Sequence, residues 1–278
     1  MKVNNQIKSI AIGSFDGMHV AHQTLIEQVE AIVIIERNSG YLTPGYKRSF
    51  YTSKMCCFYH FDKIKSLSPE AFVNKLKEDF PHLEKIVVGY DFAFGKEKAG
   101  NADHLNELFD GEVCIVKEVC VEGIPVHSRT IKAYLGEGNI ALANKLLGRE
   151  YVIEGEVIKG QGLGKKELVP TLNLHTDYYQ LPLEGVYATR TKVEKRWLAS
   201  VTFLGHRVTT DGSYAVETYV LDQDIGEIKG QIELKFVGFI RTNKKFDSLN
   251  LLREQIQNDI NIAKKILAWN RLNNEIRM

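Results

Sequence analysis

Short apolar runs alternate with amphipathic stretches through the first half of the chain. Three runs, Ser9–Ile12, Ala31–Ile35 and Lys85–Gly89, are short and mainly apolar, which predicts strands buried on both faces. A longer run from Val113 to Val121 predicts a further strand. Between the first two runs, Val20–Ile32 carries apolar residues at helical spacing, so we expect a helix there that overlaps the start of the second strand.

Two further helices in the same half are predicted from their starts. Ser68 followed by Pro69 is a capping residue followed by a first-turn proline. Another helix is expected from near Ser128 to Leu135. Because strands and helices alternate, this half is predicted to be an α/β domain with a parallel sheet, a fold that binds nucleotides at the carboxyl edge of its strands.

The pattern changes near Gly148. From Tyr151 onward β-branched residues recur at alternate positions in runs separated by turn residues, which is typical of an antiparallel barrel. The runs are "YVIEGEVIKG", "GVYATRTKV", "WLASVTFLG", "YAVETYVL" and "QIELKFVGFI". A last helix, capped by Ser248, is predicted from apolar residues on one face: Leu249, Leu252, Ile256, Ile260, Ala263 and Leu267. The sequence thus predicts an α/β domain over 1–148 and a small antiparallel β-barrel with a C-terminal helix over 149–278.

Composition narrows the class of protein. A length of 278 residues favours two domains over one. Lys and Arg number 36 against 35 Asp and Glu, so no global field attracts nucleic acid or anionic membrane, and neither partner is expected. The four cysteines show no Cys-x-x-Cys spacing, so reduced thiols are expected. No apolar run resembles a signal peptide or is long enough to span a membrane, which indicates a cytoplasmic protein. The sequence leaves the oligomeric state open.

The stretch "GSFDGMHVAH", residues 13–22, joins the first strand to the first helix. Its glycines allow a tight turn, and the helix start presents unpaired N–H groups, so the stretch is suited to an anion. His19 and His22 are three residues apart and project to one side. Zinc binding would need a third ligand that the neighbouring sequence does not offer, and ordinary packing is the plainer alternative. Contact with a phosphate is the favoured interpretation.

The segment "GEVIKGQGLGKKELVPTLNL" holds a second candidate phosphate site. Three glycines lie beside Lys165 and Lys166 in a loop between strands, an arrangement that lets backbone N–H groups approach a phosphate, although most such loops are plain turns. Thr171 and Asn173 follow at once. Their oxygens are the hard ligands that Mg²⁺ takes alongside phosphates, while the alternative is a β-turn closed by Asn173. Glu217, in an otherwise apolar and aromatic strand, is by itself an ordinary solvent-facing residue.

Taken together, these motifs resemble one enzyme family. The first stretch resembles the Gly-x-Phe-Asp-Gly-x-His-x-Gly-His motif of nucleotidyltransferases. "VVGYDFAFGKEKAGNADHL" and "NIALANKLLGREY" resemble a loop and a linker of prokaryotic bifunctional riboflavin kinase/FMN adenylyltransferase, also called FAD synthetase. Pro170–Leu174 resembles that family's Pro-Thr-Ala-Asn signature, and the likeness runs from about residue 8 to 267.

For the first half, the resemblance implies a Rossmann-like nucleotidyltransferase domain that transfers AMP from ATP to FMN, giving FAD. His19 and His22 would bind ATP phosphates and stabilise charge during attack on the α-phosphorus. The remaining implied ATP contacts are Gly13, Phe15, Asp16, Ser128 and Lys132. The implied flavin contacts are Asp91, Phe92 and Phe94, although the two phenylalanines are equally well explained as core residues that follow a strand.

For the second half, the resemblance implies a riboflavin kinase barrel that uses ATP and Mg²⁺ to convert riboflavin to FMN. Thr171 and Asn173 would hold Mg²⁺ and ATP phosphates, and Glu217 would be the general base for the riboflavin 5′-hydroxyl. Arg241 and Phe246 would lie near the flavin. The implied ATP contacts from the glycine-rich loop are Gly160, Gly162, Gly164 and Lys165.

The sequence also departs from the family pattern. Ala21 replaces a glycine between the histidines, and the Pro-His-Pro segment that usually follows the second strand is missing. The late Ser-Ser-Thr-x-Ile-Arg motif appears as residues 127–132, "HSRTIK", and a lysine lacks the two-pronged grip of an arginine. In the glycine-rich loop, Leu163 and Leu168 replace an arginine and a glycine. Two alternatives to a bifunctional enzyme therefore stay open: a riboflavin kinase with a degenerate first domain, and a non-enzymatic flavin or nucleotide sensor.

Overall fold

The computed structural model describes residues 6–37, 41–159, 169–207 and 212–276. The chain forms two compact units that divide between Ser128 and Arg129, called here the front unit and the barrel unit. Two short helices ahead of the barrel count with the barrel unit, so this division falls earlier than the domain boundary expected at 148, which stays a prediction. Among the described residues, no helix is both long and apolar enough to cross a membrane.

Short strands and helices alternate along the front unit, as expected. The strands are β1 (Ser9–Gly13), β2 (Ala31–Glu36), β3 (Met55–His60), β4 (Lys85–Gly89), β5 (Ala93–Phe94), β6 (Gly100–Asn101), β7 (Glu112–Val116), β8 (Cys120–Val121) and β9 (Ile124–Pro125). The helices are α1 (Val20–Ile26), α2 (Phe61–Ile64), α3 (Pro69–Asp79) and α4 (Ala102–Leu108). Ser68 caps α3, its Oγ accepting the Ala71 N–H at 3.2 Å, as the sequence predicted.

A five-stranded parallel sheet forms the centre of the front unit, in the order β3-β2-β1-β4-β7. Ile10 and Ile12 of β1 pack into one hydrophobic cluster and Ala11 into another, which explains why the central strands are apolar on both faces. The chain runs outward from β1 in both directions, so the crevice beyond the carboxyl ends of β1 and β4 is the position where such sheets bind ligands.

Three details of the front unit differ from the sequence-based expectation. The predicted strand 113–121 is two pieces, because the polar pair Lys117–Glu118 follows β7, and β8 pairs with β9 in a separate ribbon. The helix predicted through Ile32 ends at Ile26. The alternating, partly exposed strand β3 at the sheet edge was not predicted at all, since its mixed pattern lacks a clear apolar run.

The barrel unit begins with two helices and continues as a closed barrel followed by one long helix. Its elements are α5 (Ser128–Gly136), which starts at the last residue of the front unit, α6 (Ile140–Leu147), β10 (Tyr151–Ile158), β11 (Leu172–His175), β12 (Gly185–Val193), β13 (Arg196–His206), β14 (Tyr214–Val220), β15 (Gln231–Thr242) and α7 (Leu249–Ile276). The strands close in the order β10-β11-β14-β13-β12-β15. All neighbours are antiparallel, so the predicted fold class is confirmed.

Helix α7 packs against the outside of the barrel. Ile260, Ala263 and Leu267 form a hydrophobic cluster with Ala188 and Val237 of the strands. The predicted apolar face is therefore correct in its middle, whereas Leu249 at its start is 48% exposed. The predicted cap is present, with Ser248 Oγ accepting the Leu251 N–H at 3.3 Å.

The strand face opposite α7 carries a closed ring of five buried hydroxyls. Because Ala188 faces α7, its neighbour Thr189 points to the barrel interior. The hydroxyl contacts, each between 2.7 and 3.0 Å, run from Thr189 to Ser200, Thr191, Thr218, Thr202 and back to Thr189. All five residues are fully buried. The five buried hydroxyl groups thus provide hydrogen-bond partners for one another.

Candidate active sites

The loop between β1 and α1 is held in a strained conformation by packing. Phe15 and Met18 have positive φ angles of 49° and 46°, which non-glycine residues adopt only at a cost, and both side chains are buried. Gly17 between them has φ 88°. Since β1 ends at Gly13 in the middle of the sheet, this loop crosses the crevice at the carboxyl edge.

His19 and His22 lie together at the start of α1. Their rings stack with centroids 3.5 Å apart and an interplanar angle of 15°. His19 is buried and caps the helix, its Nδ1 accepting the His22 N–H at 3.3 Å. With Nδ1 used as an acceptor, the neutral His19 ring carries its proton on Nε2, which is then a donor. Two stacked rings at a strand-to-helix turn form a paired donor surface for an oxyanion.

Asp16 and Ser128 tie this loop to distant parts of the front unit. Asp16 Oδ1 accepts the backbone N–H groups of Leu42 and Thr43 at 2.8 and 3.1 Å. Ser128 Oγ donates to the Asp16 carbonyl oxygen at 2.7 Å. The surviving serine of the late motif therefore lies against the histidine loop, although 112 residues separate it from Asp16. The Asp16 carboxylate organises the backbone here.

A cluster that the sequence did not predict lies beside Asp91, at the ends of β4 and β7. The Tyr90 hydroxyl donates to Glu118 Oε1 at 2.7 Å, and His127 Nε2 lies 3.3 Å from that hydroxyl and 3.4 Å from Glu118 Oε1. His127 Nδ1 is 3.9 Å from Asp91 Oδ2. Asp91 is an implied flavin contact and His127 begins the altered late motif, whereas Tyr90 and Glu118 belong to no motif. Only their position just after the parallel strands β4 and β7 points to this edge.

Phe94 and Phe92 belong to the packing of the front unit. Phe94 is 5% exposed and contacts Phe72 and Phe92, with ring centroids 5.4 and 5.5 Å apart. Phe92 is partly buried against the same cluster. The core alternative therefore accounts for Phe94. Lys132 is half-buried on α5, in the barrel unit.

In the barrel unit, Asn173 and Glu217 are direct register partners on β11 and β14. Side chains of such partners point to the same face of a sheet, so the two are neighbours. Asn173 lies within a strand, so the β-turn alternative is wrong, and Thr171 precedes it by two residues, just before β11. The glycine-rich loop residues Gly160, Gly162, Gly164 and Lys165 lie outside the described residues.

Arg207, at the end of the β13–β14 hairpin, joins these two side chains. Its Nη2 donates to Asn173 Oδ1 at 2.6 Å and to Glu217 Oε1 at 2.7 Å, and its Nε donates to Glu217 Oε1 at 2.9 Å. Its Nη1 donates to Ser213 Oγ at 2.6 Å. Sequence reasoning missed Arg207, because an arginine just after a strand is indistinguishable in sequence from a surface cation.

Arg241 lies at the far end of the same register row, and the Phe246 ring lies beside it. Glu217 pairs with Phe203, Phe203 with Val186, and Val186 with Arg241. Along the curved barrel wall, three strand spacings, about 14 Å, lie between the two ends of this row. Arg241 forms a two-pronged ion pair with buried Asp259 of α7, closest contact 2.8 Å, and its guanidinium is 5.7 Å from the Phe246 ring centre. Arg241 thus fixes the helix to the barrel.

Two family models match parts of the chain. The model described as riboflavin kinase matches residues 147–267, and the model described as FAD synthetase matches residues 50–130, which begins after His22. A relative from Listeria monocytogenes, named bifunctional riboflavin kinase/FMN adenylyltransferase, is 30% identical over 91% of this chain and 90% of its own. This chain belongs to the bifunctional riboflavin kinase/FMN adenylyltransferase family.

Other similar proteins cover the chain equally well. A member of the same family by name, from Buchnera aphidicola of Acyrthosiphon pisum, is 28% identical over 95% of both chains. A crystal structure from Streptococcus pneumoniae, described as a macrolide-efflux protein, is 25% identical with a TM-score of 0.83 over 94% of this chain and 95% of that one. Asn173, Arg207 and Glu217 fall within the riboflavin kinase match, and Asp91 and His127 within the FAD synthetase match.

Proposed function

We propose that this chain makes FAD from riboflavin in two steps. A kinase domain over 149–278 transfers the γ-phosphoryl group of ATP to riboflavin, giving FMN. A domain over 1–148 then transfers AMP from a second ATP to FMN, giving FAD and pyrophosphate. The observation that carries the proposal is the register pairing of Asn173 with Glu217, which sets a metal-type oxygen ligand beside a carboxylate on adjacent strands.

In the kinase step, the Glu217 carboxylate accepts the proton of the riboflavin 5′-hydroxyl as that oxygen bonds to the γ-phosphorus of ATP. The bond from the γ-phosphorus to the bridging oxygen breaks, and ADP leaves. Phosphoryl transfer needs alignment and charge stabilisation more than covalent chemistry, so fixed positions matter most. Asn173 and Glu217 have such positions, because the ladder of a closed barrel holds both.

The residues near Glu217 are suited to Mg²⁺ bound with ATP. Mg²⁺ takes hard oxygen ligands and usually keeps waters and phosphates, so the protein supplies few ligands. The Thr171 hydroxyl and Asn173 amide oxygen are of this kind, and Asn173 Oδ1 already accepts a hydrogen bond from a cation, Arg207. In the described part of the chain, no group of three or more His, Cys, Asp or Glu side chains is placed to hold a metal. When bound, Mg²⁺ neutralises charge on the ATP phosphates.

In the adenylyl transfer step, a phosphate oxygen of FMN attacks the α-phosphorus of ATP and pyrophosphate leaves. His19 and His22, stacked at the start of α1, donate to the phosphates as charge builds on them. Ser128 reaches the same loop, while the ATP contact that the resemblance implies for Lys132 stays a prediction. Asp91, with the neighbouring Phe92, is the proposed flavin contact.

The test supplies each step with its own substrate. The purified chain is incubated with ATP and Mg²⁺, first with riboflavin and then, separately, with FMN, and flavins are separated by chromatography. We expect FMN followed by FAD in the first reaction and FAD in the second. FMN as the sole product would favour a monofunctional kinase. Flavin binding without any ATP turnover would favour a sensor, and neither activity nor binding would refute all three.

A further inference from the structure

We propose that Arg207 is a positioning residue of the kinase site, which holds the base Glu217 and the amide of Asn173 in their working orientations. The inference rests on the proposed kinase function. Arg207 is largely buried, with 17% of its side chain exposed, and all three of its guanidinium nitrogens donate hydrogen bonds. One rigid group therefore connects β11, β14 and the hairpin between β13 and β14.

The ion pair with Glu217 uses one carboxylate oxygen. Both Nε and Nη2 of Arg207 donate to Oε1, instead of spanning the two oxygens as a two-pronged pair does. Oε2 takes no part in the pair with Arg207. A carboxylate fixed by one oxygen presents the other in a set direction, which a general base needs in order to meet a substrate hydroxyl.

The contact with Asn173 fixes which end of the amide faces the site. A guanidinium can only donate hydrogen bonds, so the atom 2.6 Å from Nη2 must be the amide oxygen and not the NH₂ group. That oxygen is the atom able to bind a metal ion, and it retains a second lone pair. Without Arg207 the amide is free to rotate and present NH₂, which cannot bind a cation.

The backbone holds Arg207 itself in place. Its N–H donates to the Ser213 carbonyl at 2.9 Å, and its carbonyl accepts the Gly212 N–H at 3.1 Å, so the residue closes the hairpin. Another partly buried arginine of the barrel, Arg190, also pairs with a glutamate, Glu150, and with Asn270. Its side chain is 21% exposed, but its partners are not proposed site residues. Arg190 is therefore a matched control.

The experiment compares Arg207→Gln, Arg207→Lys and Arg190→Gln in the full chain. In riboflavin phosphorylation we expect Arg207→Gln to lower kcat about 100-fold and raise the half-saturating Mg²⁺ concentration. Arg207→Lys keeps the charge but contacts fewer partners, so kcat should fall only about 10-fold. Riboflavin affinity, measured by quenching of flavin fluorescence with ADP and Mg²⁺ present, should stay within about threefold in all variants, since Arg207 acts through other residues. Arg190→Gln should leave kcat unchanged.

Each outcome decides the inference. If Arg207→Gln keeps a kcat within threefold of Arg190→Gln, or loses riboflavin affinity as much as kcat, Arg207 is not a positioning residue while the kinase function stands. If the unmodified chain makes no FMN from riboflavin, the proposed function itself fails. Folding of each variant is checked by tryptophan fluorescence, because both tryptophans, Trp197 and Trp269, lie in the barrel unit. If Arg207→Gln does not fold, the kcat and affinity of Arg207→Lys decide by the same criteria.

Discussion

The two candidate sites are held together in different ways. In the barrel unit, Asn173 and Glu217 are fixed by direct register between neighbouring strands of a closed barrel. In the front unit, the histidine loop is fixed by side chains from remote segments, as in the hydrogen bond from Ser128 to Asp16, and by packing that holds Phe15 at positive φ. A backbone ladder is insensitive to single side-chain changes, whereas a loop of this kind depends on every buried polar contact. Substitutions at the candidate sites should therefore act mainly on catalysis in the barrel, and on stability as well as catalysis in the front unit.

The largest effect is expected at Glu217. Glu217→Gln keeps an acceptor oxygen for Arg207 but removes the basic carboxylate, so FMN formation from riboflavin should fall about 1000-fold. FAD formation from supplied FMN should be unchanged, because the two activities are assigned to separate domains. Both rates are measured by chromatography of the flavins.

Glu233→Gln is the matched control, since Glu233 is a strand glutamate that pairs with Lys192. It should leave both activities unchanged. A normal rate of FMN formation in Glu217→Gln would show that Glu217 is not the general base. An equal loss of FMN formation in Glu233→Gln would show that the loss of any strand carboxylate lowers the activity.

The next largest effect is on the stability of the front unit. Arg48 is completely buried, pairs with Glu36 at the end of β2 and lies over the Tyr41 ring at 4.7 Å. Its Nε and Nη2 donate to no partner among the described residues, so its own hydrogen bonding is incomplete. Arg48→Met leaves the Glu36 charge, 14% exposed, without its counterion, and should lower the free energy of unfolding by about 3 kcal/mol.

Hydrogen exchange of the β1 amides measures this loss, because β1 is the centre of the front sheet. The control is Lys65→Met, which breaks an exposed, solvent-screened pair with Asp62 and should leave the protection of β1 close to that of the unmodified chain. Equal protection in the two variants would contradict the importance assigned to buried polar contacts in this unit.

The same contrast explains which features the sequence revealed. Regular burial leaves a period in the sequence, so the long barrel strands, the central strands β1, β2 and β4 and the middle of α7 were predicted. Strand β11 has four residues, too few to show a period, and β3 is a half-exposed edge. The end of α1 was missed because Val29, which lies beyond the helix, packs with Leu25 and Ile26 all the same.

The candidate sites were predictable only where a motif marked them. His19, His22, Asn173 and Glu217 were found in this way, and the structure places each pair together. Arg207 contacts two of these residues, yet its role arises from hairpin geometry and pairing between β11 and β14, neither of which leaves a local sequence pattern. Glu118 is comparable, since only the fold brings it to Tyr90 and His127.

His19 offers a smaller effect, confined to the other activity. His19→Asn retains a good capping residue for α1 but removes the ring Nε2 donor, so FAD formation from FMN should fall about 100-fold. FMN formation should not change. Ser68→Ala is the control, because it removes the cap of α3 and costs about 1 kcal/mol without touching the histidine loop. If both variants lowered FAD formation equally, the effect of His19 would be one of stability.

The smallest effect is expected inside the barrel, where the hydroxyl ring provides a test with an internal control. Thr202→Val removes one hydroxyl and leaves Thr189 and Thr218 each without one partner, at a cost of about 1.5 kcal/mol. The exposed Thr242→Val should change stability by less than about 0.5 kcal/mol. Urea unfolding followed by tryptophan fluorescence reports on this unit alone, since Trp197 and Trp269 both lie in it.

Pairs of substitutions then test which of the five hydroxyls bond one another. When the adjacent Thr202 and Thr189 are both replaced, two hydrogen-bond partners are missing, one at Ser200 and one at Thr218, as many as after the single change. The pair should therefore lower the free energy of unfolding by about 1.5 kcal/mol, well below the sum of the singles. When Thr202 and the non-adjacent Thr191 are both replaced, four partners are missing, because Thr218 loses two and Thr189 and Ser200 lose one each. This pair should lower the free energy of unfolding by about 3 kcal/mol. Hydroxyls that did not bond one another would make both pairs additive. Sub-additivity confined to the adjacent pair therefore shows that Thr202 and Thr189 share a hydrogen bond and that Thr202 and Thr191 do not.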